Sequence, residues 1–139
     1  MNNFEVGRKL LSEAEECWEE LQHAFARGSW NVVIRRAQEV VELSLKGLLK
    51  MMGMEHPKTH DVGELFQTAC KEKKIALDDK LLVEIKEISS RLARKRAPAF
   101  YMEKSYNKAE AEEALADGEK VIQLARKLFR ILKQGNSMT

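Results

Sequence analysis

The segment from residue 91 to 106 carries the side chains best suited to binding a charged ligand. Four positive charges fall within six residues at its start. Guanidinium groups bind phosphate oxygens through paired hydrogen bonds, and aromatic rings stack on nucleobases with little dependence on sequence. The candidate nucleotide- and phosphate-binding residues are Arg91, Arg94, Lys95, Arg96, Tyr101, Lys104 and Tyr106.

The same cations also have a purely structural interpretation. They occupy the last turn of a predicted helix, where positive side chains interact favourably with the negative end of the helix dipole. Ligand binding that weakens with added salt and with Arg94→Ala would distinguish a binding role from a solvated helix end.

A second polar set lies within the stretch 29–54, which is otherwise dominated by apolar residues. Gln38, Glu42 and Lys46 recur every four residues, so they share one strip of a helix. Glu before Lys at that spacing is a favourable pair. This strip either contributes to a site or simply keeps the helix soluble.

Residue types that bind metals or act as nucleophiles are few. His56 and His60 flank Pro57 in a loop with no third ligand close in sequence, which favours a structural role over zinc binding. Cys17 and Cys70 each fall on the apolar side of a helical pattern, which indicates buried free thiols in a reducing compartment. We therefore expect no metal and no other cofactor.

The elements that must position these residues are helices. Apolar positions recur at threes and fours, and no segment shows a two-residue alternation with β-branched enrichment. Gly28 and Gly53 are predicted to end the first two helices, Asp78 and Asn107 to cap the last two, and Trp18 to anchor the core. The sequence thus predicts an all-α, up-and-down bundle of four long helices and one short one. The predicted helices cover residues 3–27, 29–54, 62–70, 78–96 and 107–132, with an irregular segment at 97–106.

Length and composition fit a single domain. The chain has 139 residues, 44% of them apolar, and a net charge of +2, which by itself does not point to nucleic acid. No apolar run approaches the roughly 18 residues of a membrane span, and the first residues lack the apolar stretch of a signal peptide. We expect a cytoplasmic protein with one domain over residues 1–134 and a flexible tail over 135–139.

The second predicted helix has an unusually wide apolar face. Its apolar positions cover roughly half to two-thirds of the helix circumference, more than one neighbouring helix can bury. The last helix adds a face of small residues around Gly118 that permits close helix approach. These features favour a two-fold homodimer in which the basic segments border a shared groove, and packing against the short helix is the alternative.

The order and spacing of these features resemble the HEPN domain family (higher eukaryotes and prokaryotes nucleotide-binding). The resemblance spans nearly the whole chain. It is carried by Gln38, Glu42 and Lys46 in AQEVVELSLKGLL, by PKTHDVGELF at 57–66, by the arginine-rich helix end with Tyr101 and Tyr106, and by EAEEALADGEKVIQLARKLF. It implies a helical bundle that commonly dimerises and often acts beside a minimal nucleotidyltransferase in toxin–antitoxin or related systems.

Some members of that family are metal-independent ribonucleases that use an arginine followed four to six residues later by a histidine. No histidine follows Arg91, Arg94 or Arg96, so Tyr101 or a displaced His60 would have to transfer the proton at the ribose 2′-hydroxyl. The sequence therefore favours a nucleotide- or RNA-phosphate-binding module that acts with a partner such as a minimal nucleotidyltransferase. The alternatives are a ribonuclease with a degenerate motif, whose candidate catalytic residues are Arg91, Arg96 and Tyr101, and a non-catalytic interaction protein.

Overall fold

The computed structural model describes residues 2–137 and contains five helices in that range. They are α1 (Asn3–Ala26), α2 (Trp30–Met51), α3 (Gly63–Glu72), α4 (Asp79–Phe100) and α5 (Lys108–Ser137). No strand occurs among these residues, so the predicted all-α bundle of four long helices and one short one is confirmed. None of the helices in the described part of the chain is both long enough and apolar enough to cross a bilayer.

Helix α2 is the centre of the bundle. It packs against α1, α4 and α5 and also contacts α3. Most of its apolar residues are buried, among them Val33, Ile34, Ala37, Leu45 and Leu48. Helices of the same chain therefore cover the wide apolar face, because a helix surrounded on several sides must be apolar over most of its circumference. This face does not by itself require a second subunit.

Local signals mark four of the helix ends as predicted. Gly28 and Gly53 adopt left-handed backbone angles, with φ of 75° and 78°, directly after α1 and α2. Asp78 accepts a hydrogen bond from the Lys80 amide at 2.9 Å. At the start of α5, the Glu110 amide donates to Asn107 Oδ1 at 2.9 Å and the Asn107 amide donates to Glu110 Oε1 at 3.2 Å. These contacts form a capping box.

The end of α4 differs from the prediction. The helix continues through residues 97–100, which were predicted to be irregular, and Pro98 lies inside its last turn. A proline removes one amide donor, but burial of Ala99 in the core keeps the chain helical there. In the same way α5 extends through residues 135–137 of the predicted tail, and residues 138 and 139 lie outside the described residues.

Helix α1 makes close contacts with α5 and with α2 at glycine residues. Trp18 belongs to the core, as predicted, and a Cβ on Gly118 would lie 3.6 Å from its ring. At the other end of α1, a Cβ on Gly7 would lie only 2.5 Å from the carbonyl oxygen of Gly47. The glycine contact between α1 and α2 was not predicted, and it holds the two helices at a spacing that only glycine allows.

Both cysteines are free thiols. Cys70 is buried and Cys17 is partly buried. Burial raises the pKa of each to about 11, so both remain protonated at neutral pH. Protonated thiols are poor nucleophiles and poor metal ligands, which fits the structural role predicted for them.

Candidate functional site

A hydrogen-bonded cluster joins the two polar sets found in the sequence. At its centre is Gln38 of α2, which is only 1% exposed. Its Nε2 donates to Glu42 Oε1 at 2.8 Å and to the His60 carbonyl oxygen at 3.4 Å. Its Oε1 accepts a hydrogen bond of 2.7 Å from Arg96 Nη1. The carboxamide therefore connects α2 with α4 and with the loop that precedes α3.

Glu42 is the charged acceptor of this cluster. Besides the bond from Gln38, its carboxylate accepts from Lys46 Nζ at 2.6 Å and lies 2.8 Å from His60 Nδ1. Burial works to raise the pKa of Glu42, but the hydrogen bonds from Gln38, Lys46 and His60 together outweigh it and hold that pKa below its ordinary value. The polar strip of α2 is thus a largely buried ionised network, so it does more than keep the helix soluble.

His60 is oriented by this carboxylate. An ionised carboxylate can only accept hydrogen bonds, so Nδ1 must carry the hydrogen in this contact. The other ring nitrogen, Nε2, takes no part in the contact with Glu42. The side chain is 56% exposed. The loop around it is tied down next to the histidine, because Asp61 Oδ1 accepts from Ser89 Oγ at 2.7 Å and from the Gly63 amide at 3.2 Å.

Arg96 and His60 line one surface hollow together with two aromatic residues. The hollow is bordered by Phe100, which is 54% exposed, and by Tyr101, which is 70% exposed. Their ring centroids lie 4.9 Å apart in an edge-on arrangement, and the guanidinium of Arg35 lies 4.8 Å from the centre of the Phe100 ring. Nitrogen donors and exposed aromatic rings are therefore neighbours on one surface, which we call the Arg96 hollow.

The structure brings two of the predicted site residues, Arg96 and Tyr101, to this hollow. Phe100 and Arg35 were not among the predicted site residues. His60 was predicted to have a structural role, with proton transfer as a displaced residue as the alternative. Its position depends on Glu42, which is 18 residues away in the chain, and no local pattern could have indicated that contact.

Arg91 lies on a different side of α4. Its Nη2 donates to Asp117 at 2.7 Å, and its Nε lies 3.0 Å from Glu113, so both contacts are with α5. Burial raises the pKa of Asp117 even though the hydrogen bond and charge of Arg91 act to lower it. Residues five positions apart project from an α-helix in directions that differ by about 140° around its axis. Arg91 and Arg96 therefore lie on different sides of α4. Arg91 therefore joins two helices and is not part of the hollow.

The other two cations of the cluster are also directed elsewhere. Arg94 donates to Ser90 Oγ, one turn back on its own helix, and it borders a separate hollow with Arg91. Lys95 Nζ lies 3.9 Å from a carboxylate oxygen of Glu113. The four clustered charges thus do not converge on one ligand.

Tyr106 and Lys104 are part of the α4–α5 connection. Tyr106 is only 6% exposed, its hydroxyl donates to the Lys95 carbonyl oxygen at 3.4 Å, and burial raises its pKa. Lys104 pairs with Glu110 at 2.8 Å and lies over the Tyr106 ring at 4.7 Å. Tyr106 is therefore a packing residue, and its ring is not accessible for stacking on a base.

On its other side the cluster borders an acidic groove. Cys17, Leu43, Glu42, His60 and Arg96 line it together with four further carboxylates, which belong to Glu13, Glu16, Glu20 and Glu39. Arg36 neutralises part of this charge through Glu20 at 2.7 Å and Glu39 at 2.6 Å. In the described part of the chain, no three His, Cys, Asp or Glu side chains are grouped so as to hold a metal ion.

The helical arrangement is shared with solved structures. The chain superposes on TT1696 from Thermus thermophilus with a TM-score of 0.71 and 22% sequence identity, over 91% of this chain and 98% of that one. It superposes on ST0689, an archaeal HEPN homologue, with a TM-score of 0.67 and 19% identity, over 88% of this chain and 97% of that one. At these identities the likeness defines the fold class, an all-α bundle of the same type.

The family assignment comes from the sequence itself. The family model of the HEPN domain matches residues 8–128, which is most of the chain. The chain belongs to the HEPN domain family, as the order and spacing of its motifs predicted. A comparison with curated proteins found no match.

Proposed function

We propose that the chain binds RNA or nucleotides through their phosphates and bases at the Arg96 hollow. The observation that carries this proposal is the placement of Arg96 and His60 beside the exposed rings of Phe100 and Tyr101. A guanidinium suits phosphate oxygens, and a neighbouring aromatic ring suits the attached base. Membership of the HEPN domain family supports the same ligand class.

The environment of Arg96 suits this task. One of its five N–H donors is bonded to the buried Gln38, which orients the guanidinium while the other donors can reach a phosphate. The acidic groove repels a phosphate chain on the far side of Arg96. A single-stranded ligand would then run over the aromatic side, where each stacked base contributes about 1–3 kcal/mol.

Fluorescence anisotropy with a labelled single-stranded oligoadenylate tests the proposal. Arg96→Ala should weaken binding about tenfold, which corresponds to about 1.4 kcal/mol, and should lower the slope of log affinity against log salt by roughly 0.7. Tyr101→Ala should weaken binding with the salt slope unchanged. The matched control is Arg94→Ala, an exposed arginine two residues away that lies outside the hollow, and it should change affinity less than twofold.

Two results would contradict the proposal. One is the absence of saturable binding by the wild-type protein at low salt. The other is an equal loss of affinity in Arg94→Ala and Arg96→Ala, since this would mean that the ligand responds only to overall charge.

A second candidate function is metal-independent RNA cleavage, and the contact between His60 and Glu42 favours it. With Nδ1 bonded to a carboxylate, Nε2 can accept the proton of a ribose 2′-hydroxyl. The 2′ oxygen then bonds to the adjacent phosphorus and the bond from phosphorus to the 5′ oxygen breaks, giving a 2′,3′-cyclic phosphate. The 5′ oxygen takes a proton from solvent, and Arg96 stabilises the charge that develops on phosphorus-bound oxygens.

An RNA digest in the presence of a chelator tests this candidate. Cleavage should yield cyclic phosphate ends and should be lost in His60→Ala, while His56→Ala, which changes the other loop histidine, should keep wild-type activity. Intact RNA at high protein concentration, or equal rates for wild type and His60→Ala, would exclude His60 catalysis.

The proposal also includes assembly as a homodimer and action beside a minimal nucleotidyltransferase. Family membership supports both. Light scattering at tens of micromolar protein should give about twice the chain mass of 16.0 kDa. A mass of one chain would exclude the homodimer, and co-expression with the neighbouring genes should recover the nucleotidyltransferase as a complex.

A further inference from the structure

We propose that Asn31 is the positioning residue that holds the aromatic part of the Arg96 hollow, an inference that rests on the proposed function. Asn31 lies in the first turn of α2, far in sequence from the turn between α4 and α5. Its Oδ1 accepts from the Tyr106 amide at 2.8 Å, and its Nδ2 donates to the carbonyl oxygens of Ala99 at 3.2 Å and Lys104 at 2.8 Å. One side chain thus bonds the backbone on both sides of the turn.

The segment between these bonds contains the exposed side chains of the hollow. Residues 100–103 lie between the two carbonyls that Asn31 binds, and Phe100 and Tyr101 are among them. Asn31 Nδ2 also lies 3.4 Å from the sulfur of Met102. The bonds from this single side chain therefore determine where the aromatic rings project from the bundle.

The turn itself is strained and needs such an anchor. Met102 has a φ of 55°, a left-handed conformation in which glycine is common and other residues are costly. The Glu103 amide donates to the Pro98 carbonyl oxygen at 3.0 Å and closes the end of α4. Strained residues persist only where the surrounding structure holds them, and they concentrate at functional sites. Here the bonds from Asn31 supply that support.

The consequence for binding is preorganisation. An exposed aromatic turn that moved freely would lose conformational freedom when a base stacked on it, and that loss would weaken binding. A turn already held by Asn31 avoids the loss. The effect concerns the base only, because Arg96 is oriented by Gln38 and not by this turn. Asn31 should therefore influence affinity for a base and leave affinity for a bare phosphate chain unchanged.

The experiment compares two probes on the full chain, a single-stranded oligoadenylate and inorganic tripolyphosphate. Asn31→Ala should weaken oligoadenylate binding about 3- to 10-fold, with tripolyphosphate binding within about twofold of wild type. Asn31→Thr, which keeps the volume and adds no charge but lacks the Nδ2 donor and is too short to bond both carbonyls, should show the same selective loss. This second variant keeps the test valid if Asn31→Ala does not fold, and circular dichroism checks the fold of both.

The matched control is Asn107→Ala, which removes the capping asparagine at the other end of the same connection. It lowers stability without freeing the turn, so it should bind both probes as wild type does. The positioning role would be overturned if the Asn31 variants bound oligoadenylate as tightly as wild type does. It would also be overturned if their affinity fell equally for oligoadenylate and for tripolyphosphate. A wild-type protein that binds neither probe, or an Arg96→Ala variant that binds both as tightly as wild type, would overturn the proposed function and this inference with it.

Discussion

Gln38→Leu removes the side chain that connects α2 with α4 and with the loop before α3, at nearly constant volume. Its two short hydrogen bonds, 2.7 Å from Arg96 and 2.8 Å to Glu42, both involve charged partners. Bonds of this kind contribute about 1.5–3 kcal/mol each. In the variant, Glu42 keeps hydrogen bonds from Lys46 and His60, and Arg96 can bond to water. Neither charged group is left without a partner, so each lost bond should cost about 1.5 kcal/mol, the lower end of this range. The free energy of unfolding should therefore fall by about 3 kcal/mol.

Urea unfolding followed by far-ultraviolet circular dichroism measures this change. The unfolding slope for a chain of this size is about 1–3 kcal/mol per molar urea, so a loss of about 3 kcal/mol should lower the midpoint by about 1–3 M at an unchanged slope. The matched control is Gln123→Leu, which makes the same chemical change at an exposed position where the side chain donates only to Glu119 at 3.3 Å. Its stability should stay within about 0.5 kcal/mol of wild type.

Equal midpoints for Gln38→Leu and Gln123→Leu would refute the reasoning, because the cluster would then not couple the helices. The same variant has a second readout. Without the carboxamide, Arg96 loses the partner that orients it, so oligoadenylate binding should weaken in Gln38→Leu and stay unchanged in Gln123→Leu.

Three further changes test the core, the helix crossing and the charged network. Trp18→Ala should lower the free energy of unfolding by about 3–5 kcal/mol, and an unchanged thermal midpoint would remove Trp18 from the core. Gly7→Ala places a Cβ 2.5 Å from the Gly47 carbonyl oxygen and should cost about 2–3 kcal/mol, whereas Gly135→Ala, with open space around it, should cost nothing measurable by urea unfolding. Because the pKa of Glu42 is lowered in the folded state, its ionisation stabilises the fold at neutral pH, and this contribution disappears as pH falls through that pKa. The difference in urea midpoint between wild type and Glu42→Gln should therefore shrink on acidification, and a difference that grew would contradict the network.

Helix ends were predictable because their signals are local. The left-handed positions at Gly28 and Gly53 and the capping box of Asn107 and Glu110 all involve residues within a few positions of each other. The end of α4 was predicted too early, since Pro98 is a strong local breaker. Burial of Ala99, a tertiary contact, outweighed that signal.

The candidate site was predictable only in part. Arg96 and Tyr101 were identified from residue type, and both border the hollow. Arg91 was grouped with Arg96 because the two are close in sequence, but α4 turns them to different sides and α5 supplies partners for Arg91. Tyr106 has the same residue type as Tyr101, and only the packing of the α4–α5 connection buries one and exposes the other.

The amino-acid sequence alone determined the helices, the apolar faces and the family, because periodicity, caps and motif order are properties of neighbouring residues. The tertiary structure decided which polar side chains meet. Gln38 and Arg96 are 58 residues apart in the sequence, and Asn31 is 68 to 75 residues from the parts of the α4–α5 turn that it binds. No local sequence pattern predicts contacts between residues so far apart in the chain. Helix α2 has a wide apolar face because it is the centre of the bundle, so neighbouring elements bring their own side chains close to its polar residues. The physical reason is that burial of the apolar faces orients the helices, and the polar cluster forms where their remaining polar side chains come together.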